Sequence, residues 1–223
     1  MSDALRAAIL AAADAVDAAR PELGRLDGVA GDGDHGMTMS IGVRNIRTRF
    51  AAAPSGTSTP DLLRDVALAM ADVGGAIGPL YSSGLTAMAA TIEATGSARA
   101  DPVTRLLQAV EAAELAVVGL GHARPGDKTL IDALHPMVGS LRRAEAEGDD
   151  LLTAAEMAAT TAEAGAASTA DMVARVGRAS RLGERSRGHP DAGATSLAII
   201  VRAMAEACRR APVDDEQGPL CVS

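Results

Sequence analysis

A loop rich in glycine lies between the first two helical patterns of the chain and reads Leu26-Asp27-Gly28-Val29-Ala30-Gly31-Asp32-Gly33-Asp34-His35-Gly36. Three of its side chains, those of Asp27, Asp32 and Asp34, are carboxylates that fall within eight residues. Carboxylates a few ångströms apart repel by about 1 to 4 kcal/mol per pair at effective dielectric constants of roughly 80 to 20. An ordered loop of this composition therefore predicts a bound cation, and oxygen ligands favour Mg²⁺ or Ca²⁺ over zinc.

Three other interpretations compete for the same loop. An EF-hand that begins at Asp32 would place Gly36 at position 5 and Val43 at position 12, so an early ligand and the bidentate Glu are missing. Residues 31–36 match the dinucleotide pattern G-x-G-x-x-G, but the residues before them have a helical pattern and two aspartates would repel a pyrophosphate. A solvated acidic turn stays open, because Asp and Gly are ordinary turn residues.

The rest of the chain predicts an all-α fold. Apolar residues recur with the period of a helix from end to end, without strand alternation. Capping signals at Thr59, Asp101, Asp127 and Asp191 mark four helix starts, and the first helix is expected to stop near Pro21. Short connections favour an up-and-down bundle or barrel. Eight helices are expected, at about 5–19, 39–50, 59–73, 83–95, 102–118, 127–141, 151–176 and 191–208.

Four polar, glycine-bearing loops, at 27–36, 74–84, 121–129 and 177–193, follow the first, third, fifth and seventh of these helices. In an up-and-down arrangement, loops separated by an even number of helices lie at the same end, so all four are expected on one rim. Helix N-termini at this rim would offer free N–H groups and positive dipole ends. Mg²⁺ can bridge carboxylates and phosphates, so a metal and polyphosphate ligand is predicted.

The second and third loops carry weaker signals of the same kind. The backbone of residues 74–79 would allow close approach to a phosphate, or would simply form a tight packed turn. Lys128, the only lysine beside twenty arginines, is expected either to contact phosphate or to be a solvated residue in the first turn of a helix. For His35, a structural hydrogen bond and a role in proton transfer are both open.

Composition excludes several classes of partner. The formal charge is −8, and the chain has one Tyr, one Phe and no Trp, so a nucleic-acid interface is not expected. The uncharged run 73–92 contains several glycines and Pro79, which favours a loop followed by a helix over a membrane span. Cys208 and Cys221 have no metal or redox spacing, and residues 1–16 do not resemble a signal peptide, so a cytoplasmic protein is expected. One domain, 1–211, with a polar tail at 212–223 is predicted.

The loops together resemble the L subunit, or nucleotide-binding domain, of the dihydroxyacetone kinases. The resemblance covers nearly the whole chain, in the right order. It departs from the usual residues at Thr38, Ile77, Arg181 and Ala192, which bears on the substrate and phosphate donor more than on the fold. The motifs that carry it are residues 26–36 as quoted, Gly74-Gly75-Ala76-Ile77-Gly78-Pro79-Leu80-Tyr81, Pro125-Gly126-Asp127-Lys128-Thr129 with Asp132 and Pro136, and Gly177-Arg178-Ala179-Ser180, Leu182-Gly183-Glu184-Arg185-Ser186 and Gly188-His189.

This resemblance implies a closed barrel of eight antiparallel helices that holds ADP or ATP with two Mg²⁺ ions at one rim. Residue by residue, it implies that Asp27, Asp32 and Asp34 are the metal ligands. It also implies a set of nucleotide contacts that includes no covalent nucleophile. These are His35, Gly36, Met37 and Thr38, then Ala76 and Ile77 at the phosphates, Leu80, Gly121, Leu130 and Arg178 near the nucleoside, and Asp191, Ala192 and Gly193.

The implied function is phosphoryl transfer to dihydroxyacetone held by a separate K subunit. In the phosphotransferase-system version, bound ADP is rephosphorylated by a phosphohistidine protein, and a separate chain of 223 residues favours this version. The alternative is the L subunit of an ATP-dependent kinase for dihydroxyacetone or another small keto-sugar. A non-catalytic, nucleotide-sensing regulatory module is the alternative from another class.

Overall fold

The computed structural model describes residues 2–96 and 101–210, and the regular structure of these residues is entirely helical. Two 3₁₀ segments, Thr169–Asp171 and Arg178–Ser186, lie between the last two long helices, and the second is kinked at Gly183, whose φ is 54°. The predicted all-α class is confirmed, whereas the predicted tail at 212–223 lies outside the described residues. The α-helices are α1 (Ser2–Ala18), α2 (Arg20–Ala30), α3 (His35–Ala52), α4 (Thr59–Ala71), α5 (Ile77–Thr95), α6 (Pro102–Gly121), α7 (Ile131–Glu147), α8 (Leu151–Ser168) and α9 (Ala192–Arg210).

Eight of these helices form a closed up-and-down barrel of antiparallel helices. The ring begins with α1 and α3, continues through α4 to α9 in chain order, and closes where α9 packs against α1. The short helix α2 is additional to the ring and packs mainly against α3, with smaller contacts to α9 and to the 178–186 segment. The predicted architecture is confirmed, and α2 is the element that the sequence pattern did not reveal.

Proline positions explain why α2 and the start of α5 were not predicted. The first helix does end near Pro21, at Ala18, but Pro21 itself occupies the first turn of α2, where its missing N–H would have no intrahelical acceptor. Pro79 is likewise in the first turn of α5, so this helix begins at Ile77 rather than near Ser83. The predicted helix 151–176 also ends earlier, at Ser168, because the short 3₁₀ helix follows it. No helix within the described ranges is long and apolar enough to cross a membrane.

Helix caps follow the sequence in two cases out of four. Asp101 accepts hydrogen bonds from the backbone N–H groups of Val103 and Thr104, at 2.8 and 3.2 Å, and so caps α6. Asp191 caps α9 through the N–H of Ala194 at 2.8 Å. Two other predicted caps are wrong, since Ser58 rather than Thr59 caps α4, and Asp127 does not cap α7.

An acidic residue inside α7 replaces the cap expected from Asp127. Asp132 accepts from the N–H groups of Gly126 and Thr129, the second at 2.8 Å, and thereby satisfies donors that precede the helix. The Asp127 carboxylate accepts instead from the N–H of Arg124 at 2.8 Å, within the α6–α7 loop. The loop is therefore tied to the helix from its C-terminal side.

Small side chains leave space inside the ring. Alanine forms a large part of the buried surface, and only Phe50 and Tyr81 bring aromatic rings to the structure. An apolar cavity of about 380 Å³ lies at the centre, lined by side chains from all eight ring helices. The barrel is thus held together mainly by contacts between neighbouring helices, as where α7 and α8 pack closely at Gly165.

Replacing Gly165 with Ala tests this close approach. A Cβ at residue 165 would lie 2.3 Å from the carbonyl oxygen of Asp132 and 3.0 Å from the Cα of Ala133. Because backbone atoms cannot yield easily, we expect the free energy of unfolding to fall by about 1 to 3 kcal/mol in urea denaturation followed by circular dichroism.

Gly139→Ala on the exposed side of α7 is the matched control. A Cβ at residue 139 meets no atom within 4 Å, so this change should raise the stability by up to about 1 kcal/mol through helix propensity. Equal stability changes in the two variants would contradict the close packing of α7 on α8.

Candidate functional site

The three predicted aspartates come together at the junction of α2 and α3. Asp27 lies in the last turn of α2, Asp32 in the connecting loop, and Asp34 directly before α3. One carboxylate oxygen from each lies within 4.8 Å of the others, with Asp27 half-buried and the other two exposed. The predicted cluster is formed, although Asp27 belongs to a helix rather than to the loop.

Glycine allows the chain to bring these carboxylates so close. A Cβ at Gly31 would lie 2.3 Å from Oδ1 of Asp27, so a larger residue would push that carboxylate out of the cluster. Gly33 has a φ of 79°, in the left-handed region that favours glycine. Three oxygen donors that converge on an exposed point fit a hard cation such as Mg²⁺ or Ca²⁺.

The N-terminus of α3 adds positive potential beside the cluster. The N–H of His35 donates to Oδ2 of Asp27 at 3.3 Å, which holds that carboxylate against the first turn. A Cβ at Gly36 would lie 2.1 Å from the carbonyl oxygen of Arg20, so α3 begins in direct backbone contact with α2. The first-turn N–H groups of Gly36 and Met37 have no intrahelical acceptor and carry the positive end of the helix dipole. This combination suits an anion bridged to the carboxylates by a metal.

His35 has a structural hydrogen bond. Its ring is buried, and Nε2 lies 3.0 Å from the hydroxyl of Ser196 on α9, which in turn donates to the carbonyl of Gly193 at 3.0 Å. Burial lowers the pKa of His35, although the charges of Asp27 and Asp34 oppose this shift. A neutral imidazole at this position therefore joins the start of α3 to the first turn of α9.

Arg178 brings the fourth predicted loop onto the first. Its guanidinium forms a direct ion pair with Asp32 and lies 3.6 Å from Oδ1 of Asp34. Desolvation alone would raise the pKa of Asp32, but hydrogen bonds from Arg178 and the backbone bring it below its usual value. Arg178 thus faces the predicted metal ligands, although it is exposed like the neighbouring arginines at 181, 185 and 187.

The third loop contains the residue that the sequence described least well. Lys128 is neither solvated nor at the acidic cluster, because its side chain is buried and its ammonium donates to backbone carbonyls of the α8–α9 connection. The interpretation of Lys128 as a solvated residue in the first turn of a helix is therefore wrong, and its contact with phosphate stays a prediction. The available signal was that the chain uses lysine at this one position and arginine at twenty others.

The remaining predicted contacts lie at the same end of the barrel. A Cβ at Gly121 would lie 3.1 Å from Cδ2 of Leu80, and one at Gly193 would lie 3.7 Å from Cβ of Leu130, so the second, third and fourth loops are neighbours. Ala76 is exposed at the start of α5, whereas the side chain of Ile77 packs against the core and leaves its backbone for any ligand contact. Thr38, Asp191 and Ala192 complete this set, at the first turn of α3 and the start of α9.

Comparison with known proteins agrees with this geometry. The DAK2 domain family matches residues 29–206. D-erythrulose kinase of Mycolicibacterium smegmatis is 42% identical over 199 residues, which cover 88% of this chain and 34% of that protein. The ADP-binding subunit DhaL of the PEP-dependent dihydroxyacetone kinase of Escherichia coli is 36% identical over 185 residues, which cover 82% of this chain and 86% of that subunit.

A solved structure shares the fold. The dihydroxyacetone kinase from C. freundii, in complex with AMP-PNP and Mg²⁺, superposes with a TM-score of 0.68 at 26% identity, over 91% of this chain and 33% of that one. The chain therefore spans about a third of the erythrulose kinase and of the C. freundii enzyme.

Barrel and rim together place acidic side chains and a helix N-terminus at one end of an all-α ring. The chain belongs to the DAK2 domain family, as a domain of the DhaL type.

Replacing Asp32 with Asn tests the cluster as a cation site. The change removes one charged ligand while keeping the shape, so the affinity for Mn²⁺, used as a spectroscopic substitute for Mg²⁺, should fall at least about tenfold. Electron paramagnetic resonance of free Mn²⁺ measures it. Asp3→Asn, at an exposed carboxylate of α1, is the control, and equal Mn²⁺ affinity in the two variants would exclude Asp32 as a ligand.

A second prediction concerns Asp191, since burial raises the pKa of this carboxyl to about 6. The folded state therefore binds the proton more tightly than the unfolded state, so the contribution of Asp191 to stability grows as the pH falls through 6. The variant Asp191→Asn lacks this pH-dependent contribution to the free energy of unfolding. Its stability relative to the wild type should fall by about 1 kcal/mol between pH 7 and pH 5 in urea denaturation.

Asp149→Asn, in the connection between α7 and α8, controls for the loss of one negative charge. Its stability relative to the wild type should change little over the same pH range. A constant difference between Asp191→Asn and the wild type from pH 7 to pH 5 would contradict a raised pKa for Asp191.

Proposed function

We propose that this chain is the nucleotide-binding part of a kinase that phosphorylates a short keto-sugar, and that it presents Mg²⁺ and ADP or ATP at the rim of the barrel. The observation that carries the proposal is the convergence of Asp27, Asp32 and Asp34 at the N-terminus of α3. Carboxylates and a helix N-terminus favour opposite charges, and a magnesium-bound polyphosphate satisfies both. The C. freundii relative, whose structure is described as a complex with AMP-PNP and Mg²⁺, supports this assignment.

The residues around the cluster fit the parts of a nucleotide. Asp27, Asp32 and Asp34 would hold Mg²⁺, two ions in our proposal. Residues 35–38 would contact phosphate oxygens, with the N–H groups of Gly36 and Met37 as donors, because those of His35 and Thr38 already donate to Asp27 and Asp34. Backbone groups of Ala76 and Ile77 lie at the start of a second helix and would do the same. Leu80, Gly121 and Leu130 would form an apolar surface for the base, and residues 191–193 would close the pocket.

The proposed catalysis depends on charge and position. Magnesium supplies neutralisation of the phosphate charge when bound. The carboxylates fix where that charge sits, and the guanidinium of Arg178, at the edge of the cluster, is placed to donate to phosphate oxygens during transfer. No side chain of this chain has to form a covalent bond to the phosphoryl group. The buried, neutral His35 would keep α3 and α9 in register rather than move a proton.

The acceptor would be held by a partner. Relatives named as dihydroxyacetone and erythrulose kinases share a hydroxymethyl ketone as substrate class, so we propose dihydroxyacetone or erythrulose bound by a K subunit or K domain. In the version that we favour, ADP stays bound and is rephosphorylated by a phosphohistidine protein of the phosphotransferase system, as the name of the E. coli relative indicates for that protein. Exchange of free ATP is the other candidate.

The experiment that tests the proposal has two stages. The purified chain is dialysed extensively, and native mass spectrometry then measures retained ADP. Retention of about one ADP per chain supports the phosphotransferase version, whereas complete loss with Mg²⁺-dependent rebinding of ATP supports the ATP-dependent one. Absence of Mg²⁺-dependent binding of either nucleotide overturns the proposal.

In the second stage, a K subunit, dihydroxyacetone or erythrulose, and either ATP or the phosphohistidine protein are added, and ³¹P NMR follows the sugar phosphate. We expect product with the wild type and none with Asp32→Asn, while Asp3→Asn serves as control. Nucleotide binding without transfer to either sugar, under all these conditions, would favour the regulatory module over the kinase.

A further inference from the structure

Lys128 occupies an unusual position for a lysine. Its backbone has a φ of 63°, in the left-handed region, and its side chain is 4% exposed. The left-handed conformation is unfavourable for a residue with a side chain, and burial of an ammonium adds a further cost. Such a residue persists only where its surroundings hold it in place, so its contacts indicate what it does.

The ammonium of Lys128 binds both ends of one segment. Nζ donates to the carbonyl oxygens of Thr169 and His189, each at 2.6 Å, and more weakly to that of Met172 at 3.4 Å. Thr169 and Met172 lie where the chain leaves α8, and His189 lies just before α9. One charged group therefore connects the beginning and the end of the α8–α9 connection.

Further hydrogen bonds close the same base. The N–H of Gly188 donates to the carbonyl of Ala170 at 2.8 Å, and the N–H of Arg175 donates to the carbonyl of Asp127 at 3.1 Å. We name residues 173–187 the arginine loop. The residues on either side of it, which form its base, are bound to one another and to the α6–α7 loop by these hydrogen bonds. Arg178 is the residue of the arginine loop that meets Asp32 and Asp34.

The chemistry of the contact suits lysine. An ammonium carries three donors around one nitrogen, which can serve three carbonyl oxygens on different sides, whereas a guanidinium presents its donors in one plane. Burial lowers the pKa of Lys128, but the charge of Asp191 in particular opposes that shift and favours the ammonium. This explains why a chain that otherwise uses arginine keeps lysine here.

We propose that Lys128 is a positioning residue that fastens the base of the arginine loop and thereby places Arg178 at the acidic cluster. Lys128 does not contact Asp27, Asp32 or Asp34, and its effect on them passes through the arginine loop. The inference extends the proposed function, because placement of Arg178 matters for phosphoryl transfer only if the rim binds a magnesium nucleotide. The fastening itself is a property of the protein without nucleotide.

Hydrogen–deuterium exchange of the nucleotide-free protein tests the fastening. Lys128→Met removes the donors while keeping an unbranched side chain, and it should raise deuterium uptake at least about threefold in peptides within 173–187, but not in peptides of α5. Arg143→Met, which removes an exposed cation from α7, should leave both regions unchanged. Unchanged uptake in the arginine loop of Lys128→Met would overturn the proposal.

A double-mutant cycle tests the connection to Arg178. Isothermal titration calorimetry with Mg²⁺ and ADP measures affinity for the wild type, Lys128→Met, Arg178→Ala and the double variant. If Lys128 acts through Arg178, each single change weakens binding about tenfold. The double variant should then bind at most about twentyfold more weakly than the wild type. Multiplied effects, about a hundredfold in the double variant, would show that Lys128 acts independently of Arg178 and would overturn the proposal.

The two readouts separate this inference from the proposed function. If the wild type binds no nucleotide, the proposed function fails, while the exchange experiment still decides whether Lys128 fastens the loop. If Lys128→Met does not fold, as thermal unfolding would reveal, Lys128→Gln keeps a polar end with fewer donors and takes its place in both experiments. The same local increase in exchange is expected, and its absence would again overturn the proposal.

Discussion

Repulsion among three carboxylates is the constraint on which the rim of this barrel depends. Asp27, Asp32 and Asp34 place oxygen atoms within 4.8 Å of one another, a distance at which like charges are costly. An N–H from the first turn of α3 and the guanidinium of Arg178 offset this repulsion through a hydrogen bond to Asp27 and an ion pair with Asp32. The N–H comes from the next residue of the same segment, whereas Arg178 lies 146 residues after Asp32, so its contribution depends on the tertiary fold.

The ring explains why the positions of four loops between helices were enough to predict that these loops share one end of the barrel. Helix periodicity, together with the caps at Asp101 and Asp191, defined the long helices. Counting helices between loops then predicted one common rim, and the contact of Arg178 with Asp32 shows that the first and last of these loops do meet. The number of helices between two loops decides whether they lie at the same end of the barrel, and this number can be counted from the sequence pattern.

Other features depended on tertiary contacts that no local pattern reports. The helix α2 is short and carries few apolar residues, and it is stabilised by backbone contact with α3 at Gly36. Asp132, inside α7, accepts a hydrogen bond from an N–H group of the preceding α6–α7 loop, whereas an ordinary N-cap residue precedes the helix and accepts from N–H groups within it. Lys128 resembled a surface residue because its three acceptors are carbonyl oxygens more than forty residues away. The errors at Asp127 and Lys128 arose where one segment satisfied the polar groups of another.

The closure of α9 on α1 has a consequence for how this domain can be joined to others. At the rim, α9 begins beside the first turn of α3, through the hydrogen bond between His35 and Ser196. At the opposite end, Leu5 near the start of α1 and Met204 near the end of α9 pack against the same group of buried side chains. A covalent extension from either helix would therefore emerge on the far side from the acidic cluster. A connection to another domain would then not pass over the acidic cluster. This arrangement suits both kinds of relative, a separate subunit and a longer polypeptide of which the matched part is about one third.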